Sequence, residues 1–223
     1  MRVGVYWAPR VDDPLHRLGS HWLGRDAETG ASIPQPALPG LDMAELTADA
    51  RGYGLHATLK PPFRLATGWH ELRAAAMDLA ARTSPFALPP LVLAEHHGFL
   101  ALVESARSAE LQALCDACVT TLDEHRAPPG EAEIARRRPE RMTERQRGYL
   151  QRWGYHYVLD EWWFHVTLSR RLTETERTVV QPALAAHLGE APALPRRVTE
   201  LCLFTQAAPG APFLVAERLP LLG

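Results

Sequence analysis

The chain has 223 residues, of which 46% are hydrophobic and 22% are charged, a composition typical of a globular protein with one sizeable core. The net charge of −2 excludes a bulk electrostatic attraction to nucleic acid or to an anionic membrane. No stretch approaches the roughly 18 consecutive apolar residues of a membrane span. The three cysteines make a poor disulfide framework, so we expect a cytoplasmic protein with no membrane partner.

The first half of the chain alternates between predicted strands and helices. Alternating apolar residues predict strands, and a capping residue before a 3.6-residue apolar period predicts a helix. In chain order we predict a strand at 2–9, a helix ending at Gly24, a loop at 25–40, a short helix ending at Gly52, a strand that Pro61 and Pro62 end or move to a sheet edge, a helix at 67–83, strands at 90–95 and 98–104, and a helix at 108–126.

The second half continues this alternation after a polar, arginine-rich stretch. The predicted elements are a helix from Thr143 to Trp153, strands at 155–159 and 162–169, a helix after Thr173, and a closing hairpin that turns at Pro209-Gly210. Because strands and helices alternate and several hairpins occur, the sequence predicts an α+β fold with antiparallel sheets rather than a doubly wound parallel sheet.

Two stretches of the sequence repeat the pattern H-x-T-L. The first is YGLHATLKPPFRL at 53–65, and the second is WWFHVTLSRRL at 162–172. At an offset of 109 (165 minus 56), histidine matches histidine and threonine matches threonine, and aromatic or apolar residues precede both histidines. The repeat indicates a degenerate internal duplication.

Strand geometry explains the spacing within each motif. Side chains alternate between the faces of a strand, so His56 and Thr58 share one face while Ala57 and Leu59 face the core. The motif of His165 repeats this arrangement. Two such strands brought together present two imidazoles and two hydroxyls around one point.

Two imidazoles and two hydroxyls suit a phosphate diester without a metal ion. The unperturbed pKa of histidine is about 6.5, so one imidazole can accept a proton while a second, charged one donates. Hydroxyl and imidazolium groups can donate hydrogen bonds to phosphate oxygens. The alternative is that both histidines are half-buried at sheet edges and are satisfied by the neighbouring hydroxyls.

With these two motifs the chain resembles the 2H phosphoesterase superfamily, and within it a bacterial branch associated with phosphonate metabolism. The resemblance implies one domain, 1–223, made of two pseudo-symmetric lobes, with two antiparallel sheets facing a central groove and helices outside. It also implies that His56, Thr58, His165 and Thr167 form the active site, with the two histidines catalytic.

The resemblance and the acid–base reasoning together predict an enzyme that hydrolyses a cyclic phosphodiester with no metal and no cofactor. The expected partner is a small phosphorylated substrate, such as a sugar cyclic phosphate from phosphonate breakdown. An RNA end with a 2′,3′-cyclic phosphate is the less favoured substrate, because the chain is mildly acidic. Two competing hypotheses are a non-catalytic protein that binds a nucleotide or phosphometabolite, and a scaffold. The absence of a glycine-rich phosphate loop disfavours an ATP-driven mechanism.

Three further residues are predicted to bind substrate. Lys60, the chain's one lysine, follows Thr58 by two and would reach a phosphate oxygen if the strand continues. Arg64 would help if the chain stays extended past the prolines. Trp163 shares the parity of His165 and is a candidate to stack on a base or sugar.

Several features outside the motifs allow two interpretations. The arginine-rich segment 126–152 is either a mobile lid over an anionic substrate or a solvated helix paired with glutamates. After the second motif this chain has Ser169-Arg170, where the resemblance implies Thr-Gly, so the structure of the turn and of the groove wall there is left undecided. Cys115 and Cys118 match C-x-x-C but lie within a predicted helix without a second pair, and His96-His97 lack a further ligand at suitable spacing, so we expect no metal site at either pair.

Overall fold

The computed structural model describes all residues, 1–223. Its strands are β1 (Arg2–Trp7), β2 (Ala57–Arg64), β3 (Phe86–Leu88), β4 (Leu91–His96), β5 (Phe99–Glu104), β6 (Val166–Thr167), β7 (Arg196–Val198), β8 (Glu200–Gln206) and β9 (Leu214–Pro220). Its α-helices are α1 (Pro14–Leu23), α2 (Met43–Leu46), α3 (Ala48–Tyr53), α4 (Trp69–Ala81), α5 (Ala109–Thr121), α6 (Glu131–Arg136), α7 (Glu144–Trp153) and α8 (Glu174–Leu188). None of these helices has the length and apolar character needed to cross a bilayer.

Seven strands form one large antiparallel sheet in the order β4-β5-β6-β2-β1-β8-β9, and β3 pairs with β7 in a second, small sheet. The predicted α+β class with antiparallel sheets is confirmed. The strands of the two histidine motifs, β2 and β6, are neighbours at the centre of the large sheet. Because β6 lies between β5 and β2, it joins the strands on its two sides into one continuous sheet.

The two faces of the large sheet are buried against different groups of residues. Val5 belongs to a core cluster of 40 buried residues, to which α1, α4, α5 and α8 contribute. Tyr6, the next residue of β1, belongs to a separate cluster of six. Because successive side chains of a strand point to opposite faces, this small cluster lies on the face away from the helix-packed core. Its members are Tyr6, Ala8, Ala27, Cys202, Phe204 and Phe213.

The segment around the second histidine has less regular strand than the sequence predicts. The ladder of β6 contains only Val166–Thr167, and no strand forms at 155–159. The rings of Tyr155 and Tyr157 instead lie 5.1 and 4.0 Å from the ring of His156, so consecutive side chains pack together rather than alternating between two faces. Contact among neighbouring rings therefore replaces the alternation on which the strand prediction depended.

A bulge interrupts β2 immediately after the first motif. Tyr6 of β1 pairs with Thr58, but the preceding residue, Val5, pairs with Lys60, so Leu59 is an extra residue on β2. The bulge resets the alternation, and both Leu59 and Lys60 are buried, each with 1% of its surface exposed. Beyond it, Pro61 and Pro62 continue the strand, because β6 is too short to require hydrogen bonds from them.

Candidate functional site

The two histidine motifs meet on one face of the large sheet. The strands β2 and β6 pair at the residue between each histidine and its threonine, so each histidine lies opposite the threonine of the other motif. In such a register the two histidines are diagonal neighbours, about 7–8 Å apart. All four side chains are partly exposed, whereas the residues between them are buried. We call this group the His-Thr quartet: His56, Thr58, His165 and Thr167.

Both histidines are held by a backbone carbonyl two residues earlier. The Nδ1 of His56 donates to the carbonyl of Gly54 at 2.9 Å, and the Nδ1 of His165 donates to the carbonyl of Trp163 at 3.1 Å. Since a carbonyl can only accept, each Nδ1 carries the proton and each neutral ring keeps its lone pair on Nε2. The Thr58 hydroxyl donates to the Nε2 of His56 at 3.3 Å. The two motifs therefore also orient their imidazole rings in the same way.

The turn before His56 requires glycine. Gly54 has φ 85° and ψ 179°, a conformation that residues with a Cβ rarely adopt. A Cβ at this position would also lie 2.5 Å from the Cβ of Ala27. The backbone conformation of Gly54 turns its carbonyl toward the imidazole, so this glycine helps to set the orientation of the ring.

Aromatic rings enclose His56. The centroid of its ring lies 4.1 Å from that of Tyr6, 5.6 Å from that of Tyr53 and 6.1 Å from that of Phe204. Burial among these rings lowers the pKa of His56 to about 4, against its hydrogen bond to the Gly54 carbonyl, which raises the pKa; repulsion from His165 lowers it further. His56 is therefore neutral at pH 7.

Trp163 packs on the ring of His165. Its ring stacks on His165 at 4.0 Å between centroids and lies 3.9 Å from His96. Trp163 therefore packs against both imidazoles while it also lines a pocket beside His165, and its stacking on a base or sugar stays a prediction. Burial lowers the pKa of His165, the carbonyl of Trp163 raises it, and His96 lowers it.

A pocket of about 260 Å³ opens beside His165. Thr58 lies at one side of it, and Tyr155 and Tyr157, from the irregular segment before the second motif, also line it. The rest of its polar and aromatic wall is formed by His96, His97, Phe99, Trp162, Trp163 and Arg171. His56 does not line this pocket, so the quartet is open on the side of His165 and enclosed on the side of His56.

A larger cavity, of about 650 Å³, lies away from the quartet, beside the end of β1 and the start of α1. Two of the arginines that line it are already bound by carboxylates. Arg10 contacts Asp12 at 3.1 Å and Glu200 at 3.3 Å, and Arg196 contacts Asp13 at 3.1 Å. Its size therefore does not make it the better candidate, because the chemically distinctive groups lie at the quartet.

Lys60 does not lie with the quartet. The bulge turns its side chain to the core, where its Nζ donates to the carbonyl of Val119 at 2.9 Å and to Asp123 at 3.1 Å. Burial lowers the pKa of Lys60, and the Asp123 carboxylate opposes that shift. The expectation that Lys60 faces the same way as Thr58 is wrong, because it assumed regular alternation through the bulge.

Arg64 also lies away from the quartet. It is at the far end of β2, is exposed, and donates to the carbonyl of Pro128 at 2.7 Å. The strand does stay extended past the prolines, as that prediction required, but this carries the arginine away from the histidines rather than along the site. Arg64 therefore fastens the start of the arginine-rich segment to the sheet.

One arginine of segment 126–152 reaches the neighbourhood of the pocket. The guanidinium of Arg137 lies 4.5 Å from the ring centroid of Tyr155, which lines the pocket. Elsewhere in the segment, Arg145 pairs with Asp160 rather than with a glutamate of its own helix. The prediction that this segment is a lid remains a prediction.

Ser169 and Arg170 form a fixed wall after the second motif. The buried Ser169 hydroxyl accepts from the backbone of Leu100 at 2.9 Å and so ties the chain to β5. Arg170 is bound by Glu176 at 2.8 Å and by Glu45 at 3.4 Å. The departure from Thr-Gly therefore places no free charge in the pocket.

Sequence reasoning missed several residues around the site, among them Tyr6, His96, Tyr155 and Arg171. Tyr6 could have been suspected, because it faces away from the core side of an otherwise regular apolar strand. His96 ends β4, and Tyr155 and Arg171 lie in irregular chain, where no periodicity indicates direction. Their proximity to the quartet follows from strand order, which the sequence does not contain.

Two relatives are named ribose 1,5-bisphosphate phosphokinase PhnN. The protein of Janthinobacterium sp. (strain Marseille) is 36% identical over 231 residues, which cover 100% of this chain and 51% of the relative. The protein of Laribacter hongkongensis (strain HLHK9) is 34% identical over 225 residues, which cover 100% of this chain and 52% of the relative. The chain spans about half the length of the curated relatives it matches.

These names contradict the activity predicted from the sequence. A phosphokinase is a transferase, so the prediction of a hydrolase that cleaves a cyclic phosphodiester is wrong. The name fits neither the RNA-end phosphodiesterase nor the non-catalytic binding protein. The reasoning failed because two imidazoles and two hydroxyls indicate a site for a phosphate group, which hydrolysis and phosphoryl transfer share, without selecting the group that attacks phosphorus.

A family model also matches the chain, over residues 58–214, so that it includes the whole second motif and begins at Thr58. The family match and the two relatives support the predicted placement in a branch associated with phosphonate metabolism. The wider 2H phosphoesterase superfamily remains a prediction. The chain belongs to the family described as protein of unknown function (DUF1045).

Proposed function

We propose that the chain takes part in the phosphorylation of a phosphorylated ribose, and that it holds this substrate at the His-Thr quartet. The observation that carries the proposal is the register of β2 and β6, which gives two imidazoles and two hydroxyls one shared face. The names of the two relatives supply the substrate class and the type of reaction. The setting is the phosphonate-associated branch to which the sequence points.

The quartet has the chemistry to hold a phosphate group. Threonine hydroxyls donate hydrogen bonds to phosphate oxygens, and each imidazole presents its Nε2 to the same face. A dianionic phosphate attracts a proton to a neighbouring imidazole, which then donates a charge-assisted hydrogen bond. Binding should therefore be accompanied by proton uptake and should weaken as the pH rises.

The histidines also suit the transfer step. An oxygen of the bound substrate attacks the terminal phosphorus of a nucleoside triphosphate, the bond to the bridging oxygen breaks, and the nucleoside diphosphate leaves. Any proton on the attacking oxygen passes to an Nε2 lone pair of a neutral ring: that of His165 is free, and that of His56 becomes free when the Thr58 hydroxyl turns to donate to a phosphate oxygen. His56 and His165 are the candidates for this role.

The phosphoryl donor requires groups that this chain does not offer at the quartet. No glycine-rich loop followed by a lysine occurs in the sequence, and its single lysine is bound to Asp123. The two relatives are about twice as long as the region they share with this chain. We therefore assign binding of the nucleoside triphosphate to the part of the relatives that this chain does not match.

Titration of the chain with ribose 5-phosphate and ribose 1,5-bisphosphate tests the binding step. We expect the ring signals of both quartet histidines to shift in NMR spectra, and His56→Gln and His165→Gln each to weaken binding at least tenfold. His70→Gln, which removes an exposed histidine of α4, is the matched control and should leave affinity unchanged. Binding of neither sugar phosphate, or equal binding by all variants, would contradict the proposal.

The catalytic step is tested in the full-length Janthinobacterium relative. Replacing the residues that align with His56 and His165 by alanine should lower kcat/KM for ribose 1,5-bisphosphate at least a hundredfold, the usual contribution of a general base. Unchanged turnover in both variants would show that the quartet has no part in the transfer.

A further inference from the structure

The pocket beside His165 has two chemically different ends. At one end it meets the quartet at Thr58, next to Trp162, whose indole nitrogen donates to the Thr58 carbonyl at 2.8 Å. At the other end it reaches the turn between β4 and β5, where His97 and Arg171 line it. A ligand held by the quartet would therefore extend from a site for phosphate toward a second group of cationic and imidazole side chains.

Arg171 has no partner in the chain. Its neighbour Arg170 is neutralised by Glu176 and Glu45, whereas the guanidinium of Arg171 makes no ion pair and no hydrogen bond. The backbone fixes its position, because the amide of the next residue, Leu172, donates to the carbonyl of Gly98 at 2.7 Å. Arg171 is thus held at the mouth of the pocket with its charge free.

No carboxylate lines the pocket to neutralise this charge. The nearest acidic residue along the β4–β5 hairpin, Glu95, accepts a hydrogen bond from the backbone of Gly98 at 2.5 Å, so it caps the turn. A guanidinium with five donors and no acidic partner is well suited to a phosphate, which it can bind through two parallel hydrogen bonds. The unpaired end of the pocket therefore favours an anion.

We propose that Arg171 and His97 form a second anion subsite, which selects a ribose that carries two phosphates over one that carries a single phosphate. The quartet binds one phosphate, Arg171 binds the other, and the sugar lies between them against Phe99 and Tyr157. This inference rests on the proposed function and specifies its substrate class. The aromatic walls suit a sugar ring, which can pack its C–H groups against them.

Isothermal titration of the full chain tests this subsite with two ligands that differ by one phosphate. The wild-type chain should bind ribose 1,5-bisphosphate at least tenfold more tightly than ribose 5-phosphate. Arg171→Gln should weaken binding of the bisphosphate about tenfold, the usual effect of losing one charge-assisted contact, and binding of the monophosphate less than twofold. Arg171→Lys keeps the charge without the paired donors and should give an intermediate loss.

A matched control removes an equal charge elsewhere. Arg82 lies just after α4 and pairs with the exposed Asp78, outside the pocket, so Arg82→Gln should change neither affinity. Circular dichroism and thermal unfolding of the variants establish that each is folded. Any loss of bisphosphate affinity in Arg82→Gln equal to that in Arg171→Gln would mean that net charge, not a subsite, is responsible, and would overturn the inference.

The remaining outcomes separate this inference from the proposed function. If both sugar phosphates bind through the histidines but Arg171→Gln leaves the gap between them unchanged, the second subsite is wrong and the proposed function stands. The same holds if Arg171→Gln weakens both ligands equally. If the wild-type chain binds neither ligand, both proposals fail.

Discussion

Removing His56 should change how the stability of the protein depends on pH. The aromatic enclosure holds the pKa of His56 at about 4, whereas in an unfolded chain it returns to 6.5. Below pH 6.5 the unfolded state therefore binds a proton that the folded state refuses until about pH 4. Protonation of His56 in the unfolded state therefore favours unfolding in acid. The contribution of neutral His56 to the free energy of unfolding is fully present above pH 6.5 and is lost as the pH falls toward 4.

The size of this effect follows from the two pKa values. Each unit of pKa difference corresponds to about 1.4 kcal/mol, and most of the difference between the two states is realised by pH 5. Between pH 7 and pH 5, His56 should therefore remove about 2 kcal/mol from the free energy of unfolding. A loss of this size is a large share of the stability of a typical domain.

Urea unfolding at pH 7, 6 and 5 measures this change for the wild-type chain, for His56→Gln and for the control His70→Gln. The wild-type chain and the control should lose about 2 kcal/mol more than His56→Gln over this range. The NMR titration of the His56 ring should have its midpoint well below 6.5. Parallel stability curves for all three proteins, or a His56 midpoint between 6 and 7, would refute the argument that ring packing keeps this imidazole neutral.

Two substitutions test the elements that support the site. Lys60→Met should lower the free energy of unfolding by about 2 kcal/mol in urea titrations, because Asp123 and the Val119 carbonyl lose a buried donor while Arg126 still pairs with Asp123. It should leave the affinity for ribose 5-phosphate within twofold. A tenfold loss of this affinity would show that Lys60 takes part in substrate binding. Gly54→Ala should cost about 2 kcal/mol and shift the His56 ring signals, because φ is 85° there and a Cβ would meet Ala27 at 2.5 Å. Gly52→Ala, where a Cβ meets nothing within 4 Å, is its control and should change stability little; equal losses would contradict the strain argument.

The sequence was sufficient to predict the quartet as a group on one face. Alternation requires only local regularity over three residues, and both H-x-T motifs have it, with Ala57 and Val166 fully buried between partly exposed neighbours. The α+β class followed in the same way from local periods. The repeat added what alternation cannot supply, namely a reason to place two distant strands side by side.

The sequence was insufficient wherever a single residue changed the register or where the chain was irregular. One extra residue, Leu59, was enough to turn Lys60 from the site to the core, and nothing in the local pattern distinguishes a bulge from continued strand. Trp163 has the parity of His165, as the sequence predicts, but the sequence does not show that His96, from another strand, packs against its ring. Arg171 could not be separated from Arg170, because only the fold shows which of the two finds carboxylates.

The two repeated motifs give the quartet a symmetric arrangement, but the residues around His56 differ from those around His165. Both histidines are oriented by the same backbone contact, which the repeat preserves. Yet His56 is packed against Tyr6 and Phe204, whereas His165 borders an open pocket. A substrate larger than one phosphate therefore has room to extend past His165, with its bound phosphate next to His56. This orientation follows from packing alone, so it would hold for any phosphorylated ligand that the quartet accepts.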